Sequence, residues 1–191
     1  PHCSIAALQG RNMDRDRFIL HLNAADFAVA VERLTDSSLR DRPVIVAPLQ
    51  TARSVVYDMS NEAYDAGIRK GMALHQATRL CRSASLIPPR FELYAKAMSA
   101  FVDEARTFSP VVESGAGDGH LFLDLSGTHR SIGPPPDVGW RLRKRIRNRI
   151  GVDPIWSLGS SRVVAKVASR VVKPVGEYIV GPGEEASFLA P

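Results

Sequence analysis

The chain has 191 residues, 45% hydrophobic and 24% charged, an ordinary globular usage that excludes a disordered or low-complexity protein. Its net charge of +5 is unevenly placed: from Val138 to Gly176 ten Lys and Arg residues stand against one acid, Asp153, a density that suits an anionic ligand or nucleic acid. No apolar run approaches the ~18 residues of a spanning helix, Cys3 and Cys81 are too few for a disulfide framework, and PHCSIAALQG has no secretory pattern, so a cytoplasmic protein without membrane contact is expected.

In chain order, Arg17–Leu22 (RFILHL) predicts a short buried strand and Asp26–Leu34 the start of a helix. Arg42–Ala47 (RPVIVA) and Ser54–Tyr57 (SVVY) are rich in β-branched residues and predict strands. Asn61–Ala66, closed by Gly67, predicts a short helix, and Met72–Cys81 a second with Cys81 packed on its apolar side. After Pro88 and Pro89 a longer helix over Glu92–Thr107 carries apolar residues at Leu93, Ala97, Ala100, Phe101 and Ala105.

Two strands follow, Val111–Ser114 and His120–Leu125, the second placing Leu121 and Leu123 on one face and Phe122 and Asp124 on the other. The intervening GAGDG lacks a following Gly-Lys-Ser/Thr and does not lead from strand to helix, so it does not read as a phosphate loop. A Gly/Pro-rich link, SIGPPPDVG, leads to WRLRKRIRNRIG, where Leu142, Ile146 and Ile150 recur every four residues. That spacing predicts a helix with a narrow buried stripe, its exterior carrying Arg141, Arg143, Lys144, Arg145, Arg147 and Arg149. Such a face is either merely solvated or contacts a phosphate backbone or an acidic protein. A strand over Ile155–Leu158 and a helix over Arg162–Val171 follow; the helix opens with Gly-Ser-Ser, whose free N–H groups can bind an anion. The mixed order, with an insertion between Phe27 and Pro89, predicts an α+β sheet domain carrying a small inserted domain.

Four blocks of this sequence resemble the Y-family translesion DNA polymerases of the DinB/UmuC type. FILHLNAADFAVAVE is similar to the family's opening strand and helix, and SVVYDMSNEAYDAGIRKGM to its fingers segment. FSPVVESGAGDGHLFLDLSG is similar to the palm hairpin, and SRVVAKVASRVVKPVGEYIVGPGEEASFLA to the region that enters the thumb. The resemblance implies a ferredoxin-like polymerase palm with an inserted small fingers domain and the beginning of a helical thumb. Its implied divisions are an N-terminal extension (1–16), palm (17–26), fingers (27–90), continued palm (91–167) and a truncated thumb (168–191). The rest of the thumb and the little finger are expected beyond Pro191.

Nucleotidyl transfer in such a frame needs two divalent ions held by carboxylates, since magnesium takes hard oxygen ligands. The resemblance places the family's three catalytic carboxylates at Asn23, Gly119 and His120, and a further one of its acids at Ala25; none is acidic here. Asn keeps a carbonyl without charge, Gly offers only backbone, and imidazole is a poor magnesium ligand. The family's steric-gate aromatic falls on Ala28, beside a retained aromatic at Phe27, and its triphosphate-gripping Tyr and Arg fall on Asn61 and Tyr64. Lys166 keeps the family lysine and Arg162 stands at its other basic position; the pair reads either as a retained anion-contact surface or as a polar helix face. Asp26, Asp118 and Asp124 are either a displaced metal set or solvated, hairpin-stabilising carboxylates. His21 and His120 lack a third ligand at metal spacing and read as structural or solvent-facing.

The expectation is therefore a non-catalytic DNA-repair protein of translesion synthesis or damage-induced (SOS) mutagenesis, like the ImuB-type members it resembles. No cofactor or metal is expected; primer–template or damaged DNA, an active repair polymerase and the replication clamp are the expected partners. The alternatives are an active translesion polymerase with diverged ligands, which would use Mg2+, and a protein-interaction module without DNA contact. The basic stretch argues against the last.

Overall fold

Strand β1 (Ile19–Asn23) is buried along its whole length because it lies mid-way in a five-stranded sheet of order β5-β6-β1-β7-β8. Its companions are β5 (Val112–Ser114), β6 (His120–Asp124), β7 (Ile155–Gly159) and β8 (Glu177–Ile179). The computed structural model describes residues 16–50, 53–115 and 117–190. Cys3 and, apart from Asp16, the expected N-terminal extension (1–16) lie outside the described residues. Two compact units emerge, one from 16–25, 99–115 and 120–190, the other from 26–98 and 117–119.

In the first unit β1 runs antiparallel to β6 and β7, β5 pairs antiparallel with β6, and β8 pairs parallel with β7. The register sets His21 opposite Phe122 and Ser157, and Asn23 opposite His120. Side chains alternate along a strand, so His21, Asn23, His120, Phe122 and Ser157 share one sheet face. Leu20, Leu22, Leu121, Leu123, Trp156 and Leu158 share the other, all of them buried.

Helix α7 (Arg162–Val171) covers the His21 face. Ser157 Oγ donates to the Ala165 carbonyl at 2.6 Å, and a Cβ on Gly159 would come within 2.7 Å of Val164. Helix α6 (Pro135–Ile150) covers the leucine face, where a Cβ on Gly139 would lie 2.6 Å from the Trp156 ring. The later turns of α4 (Phe91–Arg106) lie beside α6, Glu104 accepting from Arg145 at 2.8 Å and Arg149 at 2.9 Å.

The second unit holds a three-stranded sheet, β3 (Asp58–Met59), β2 (Val44–Val46) and β4 (Ser85–Ile87), β2 antiparallel to β3 and parallel to β4. With it go α1 (Phe27–Thr35), α2 (Asn61–Asp65) and α3 (Leu74–Leu80). Ser60 Oγ accepts from Ala63 N–H at 3.3 Å and from Val44 N–H at 3.0 Å, so one hydroxyl caps α2 and pins β2. Ile45, Val56, Ala63, Ile68 and Ala77 form the core, with Cys81 only partly buried at its margin. Glu32 is buried and is held by the Arg90 guanidinium and the Tyr94 hydroxyl, the latter at 2.7 Å, as a buried charge requires.

The α+β class and the inserted second sheet agree with the sequence expectation, and several elements differ. Ser54–Tyr57 is not a strand: Val55 is exposed and makes only an isolated bridge to Ala73, while β2 pairs with Asp58 and Met59. Pairing shifts there because the buried Asp58 carboxylate accepts from the Ala28 and Met59 amides. The expected Pro-rich link is the first turn of α6, where Pro135 and Pro136 lose nothing because those N–H groups have no intrahelical partner. On α4 the buried residues are Tyr94, Met98, Phe101 and Ala105 rather than Leu93 and Ala97, since the Tyr94 hydroxyl reaches Glu32. Strands β4 and β8 and the short helices α5 (His129–Ile132) and α8 (Glu185–Leu189) were not foreseen. Among the described residues no helix is long and apolar enough to cross a membrane.

Gly139→Ala, pressed against the Trp156 ring, is expected to destabilise the chain by about 1–3 kcal/mol through overpacking. Ser157→Ala, which only frees the Ala165 carbonyl, is expected to lose about 1 kcal/mol. Urea unfolding of the two variants measures both, and a Gly139→Ala midpoint equal to that of the wild type would contradict the tight α6–sheet contact.

Candidate functional site

The end of β1 and the turn entering β6 bring the key positions together. Asn23 closes β1 directly opposite His120, which opens β6. Asn23 is 2% exposed, and its Nδ2 has no hydrogen-bond partner among the described residues. Gly119, just before His120, has φ of 78°, the left-handed region that strains any residue with a Cβ.

Next to Asn23 on the same face lies the His21 and His120 pair, which the sequence reads as structural or solvent-facing. His21 is fully buried, and its Nε2 lies 3.0 Å from His120 Nδ1. Its ring stacks on Phe122 with centroids 4.4 Å apart and on His120 at 5.2 Å. Burial, then His120, Lys166 and Lys173, push the His21 pKa down to about 3, so the residue is neutral at ordinary pH. The period-two alternation of His120 and Phe122 was the available signal; that His21 faces them follows only from strand register.

Helix α7 brings Lys166 to this face, close enough to lower the His21 pKa. Arg162, at the start of α7, pairs with Glu113 and lies over the Phe122 ring at 5.8 Å from its centre. Asn23, His120, Arg162 and Lys166 thus share one side of the sheet. The other predicted nucleotide positions fall in the second unit. Phe27 and Ala28 are buried at the start of α1, the Ala28 amide donating to Asp58 at 2.9 Å. Asn61 is exposed at the start of α2, and the exposed Tyr64 ring is covered by the Arg69 guanidinium at 3.7 Å.

Magnesium, which the resemblance implies, does not fit this donor set. The positions that the resemblance implies hold a carboxamide, a glycine and an imidazole and no carboxylate, and Lys166 and Lys173 are cations close enough to act on His21. Among the described residues no three His, Cys, Asp or Glu side chains converge as a metal group. Asp124, four positions along β6, is about 13 Å from His120 at roughly 3.3 Å per residue, and accepts from Ser126 N–H. The Asp26 carboxyl is pushed up from its ordinary value, first by burial and then by Asp58. Asp118 is exposed in the turn before Gly119.

The basic helix lies elsewhere, on the opposite sheet face. Arg143 pairs with Asp153 at 2.7 Å and Glu177 at 3.6 Å, while Arg145 and Arg149 are both held by Glu104. Arg147 is 4.0 Å from Asp153, and Arg141 donates to the Ile132 carbonyl. Lys144 has no ion pair among the described residues. Four of the six basic residues expected to bind an anion therefore have acid partners within their own unit, Arg147 at the longest distance.

Comparison with known proteins places this geometry in context. The family model described as the impB/mucB/samB family matches residues 22–170. The chain is 35% identical over 175 residues, 92% of its length, to the DNA polymerase IV of Dehalococcoides mccartyi strain CBDB1, covering 45% of that protein. It is 36% identical to the DNA polymerase IV of Moorella thermoacetica, covering 88% of the chain and 44% of that protein. The chain thus spans about half the length of the curated relatives it matches. Its fold matches the crystal structure of DinB from Sulfolobus solfataricus with a TM-score of 0.82 at 19% identity, over 90% of this chain and 50% of that one. An insertion ternary complex of Dbh DNA polymerase matches at 0.81 and 18% identity, over 90% of this chain and 51% of that one.

The buried His21 makes a pH prediction. Unfolded, a histidine takes a proton below about pH 6.5; folded, His21 refuses one down to about 3, so stability falls as pH drops through that window. From pH 7 to pH 5 this residue is expected to remove about 2 kcal/mol. Urea unfolding at both pH values should show the slope, and His21→Gln should flatten it; an unchanged slope would assign it to other groups.

Proposed function

We propose, from the premise that this chain belongs to the impB/mucB/samB family of DinB-like, Y-family translesion DNA polymerases, that it is the palm-and-fingers portion of a member that has lost catalysis. In this reading it serves DNA repair, in the cytoplasm, as a non-catalytic subunit that holds primer–template or damaged DNA, or brings in a working polymerase or the clamp. The unit 26–98 is in this reading the fingers, and the five-stranded sheet with its helices is the palm; β8, which lies within the expected thumb (168–191), belongs to that sheet.

The reading rests on the resemblance, which implies Asn23, Gly119 and His120 at the family's metal-binding carboxylate positions, and it is supported by one observation, that Asn23 lies directly opposite His120 in the sheet. Two dications need several negative charges to balance them, and neutral donors supply none. What the chain keeps is the frame and the cations Arg162 and Lys166, which could still meet a phosphate. That retention favours a second reading, an active polymerase with diverged ligands, because those cations share a sheet face with Asn23 and His120.

Calorimetric titration with a deoxynucleoside triphosphate, in magnesium and then in manganese, separates the two. The wild type is expected to show no metal-dependent heat. The double variant Asn23→Asp/His120→Glu is expected to regain some, and the triple variant with Gly119→Asp to gain less than a free side chain would, because the left-handed backbone there costs about 1 kcal/mol or more. Metal-dependent nucleotide binding by the wild type would sink the non-catalytic reading. Primer–template binding that weakens steeply with salt is expected in either case.

A further inference from the structure

The exterior of α6 carries a groove on the side of the five-stranded sheet opposite Asn23 and His120. Trp140, Arg141, Arg143, Lys144 and Arg147 line a hollow of about 360 Å³. Trp140 and Arg141 also line an adjoining hollow of about 560 Å³ that Ile132, Gly133 and Asp137 complete. Trp140 is 44% exposed, whereas Trp156 is fully buried. An indole left that open beside cations is the composition of a binding hot spot rather than of a solvated helix face.

The charge on α6 divides in two. Arg143, Arg145 and Arg149 are spent on Asp153, Glu177 and Glu104. Arg141 and Lys144 have no carboxylate partner among the described residues, and Arg147 is only 4.0 Å from Asp153. Trp140, Lys144 and Arg147 are spaced by four and three residues, so they form one stripe along the helix. The result is a compact patch with an apolar centre, bounded by acids.

We propose that this groove docks a short acidic segment of a partner protein. An apolar side chain of the segment seats against Trp140 and Ile132, and its carboxylates meet Arg141, Lys144 and Arg147. Guanidinium–carboxylate contacts of this kind are charge-assisted and directional. Arg143, Arg145 and Arg149 are already paired with Asp153, Glu177 and Glu104, so only a short run of positive charge on α6 is left open. A phosphate backbone repeats its charge along its whole length and would outrun that patch, whereas a short peptide stops at a few contacts. The inference stands apart from the nucleotide reading, since none of these residues lies on the Asn23 face.

Fluorescence anisotropy of the whole chain with a labelled peptide of Asp and Glu around one Phe tests it, alongside the same peptide with Ala for Phe and a labelled oligothymidylate. The Phe peptide is expected to bind and the Ala peptide to bind several-fold more weakly. Lys144→Glu/Arg147→Glu, both at exposed positions, is expected to weaken the Phe peptide by at least about tenfold while leaving the urea midpoint in place. Trp140→Ala should weaken it comparably. Tighter binding of the oligothymidylate, lost in the same variants, would overturn the proposal in favour of nucleic acid. Absence of peptide binding, or binding indifferent to the variants, would overturn it outright.

Discussion

A strand bonded on both edges and covered on both faces leaves its side chains no water, and β1 is in that position. Leu20 and Leu22 meet the constraint by being apolar, but His21 and Asn23 must meet it by being neutral. Burial holds His21 uncharged, with help from Lys166 and Lys173. Asn23 achieves the same end by chemistry, carrying a carboxamide where a carboxylate would be a buried charge. Such a charge is tolerated only against a compensating cation, which a bound dication or Lys166 on the same face would have to supply. In the proposed reading the asparagine and the missing metal are two halves of one electrostatic solution.

The same strand divides the chemistry of its unit. Register puts every polar residue of β1 on the α7 side and every leucine on the α6 side. Both helices come very close to the sheet, through Gly159 on one face and Gly139 on the other, positions where a methyl group would collide. The two faces are thus separate surfaces with separate cations. Arg162 and Lys166 belong to the histidine side, while the arginines of α6 either fasten α6 to Glu104, Asp153 and Glu177 or look outward around Trp140.

Much of this was legible in the sequence, for physical reasons that also mark where reading stops. The alternation of HLFLD and the four-residue recurrence of Leu142 and Ile146 are local patterns, and both elements form with the faces expected, although α6 starts earlier, at Pro135. Val55 and Val56 suggested a strand just as plainly, yet the ladder formed at Asp58, whose carboxylate is wanted by an amide thirty residues earlier in the chain, Ala28. Leu93 and Tyr94 differ by one position, and a hydroxyl bond to Glu32 chose the tyrosine. The charge of α6 was overcounted for a similar reason. Glu104 and Glu177 are far from it in sequence, and a local tally cannot include them. The His21–His120 contact is invisible until β1 and β6 are in register.

The three unusual positions differ in how deeply the fold has absorbed them. At Asn23 the exchange is one of charge with almost no change of shape, and the surrounding strand needs no adjustment. At His120 the imidazole has acquired a partner, so a carboxylate there would displace the His21 Nε2 contact inside a stacked group that includes Phe122. At Gly119 the commitment is in the backbone itself, a left-handed turn that an ordinary side chain would strain. In the proposed reading, placing carboxylates at these three positions is therefore not three equivalent steps. One is an electrostatic change, one dismantles a packed pair, and one asks the hairpin to take a different path into β6.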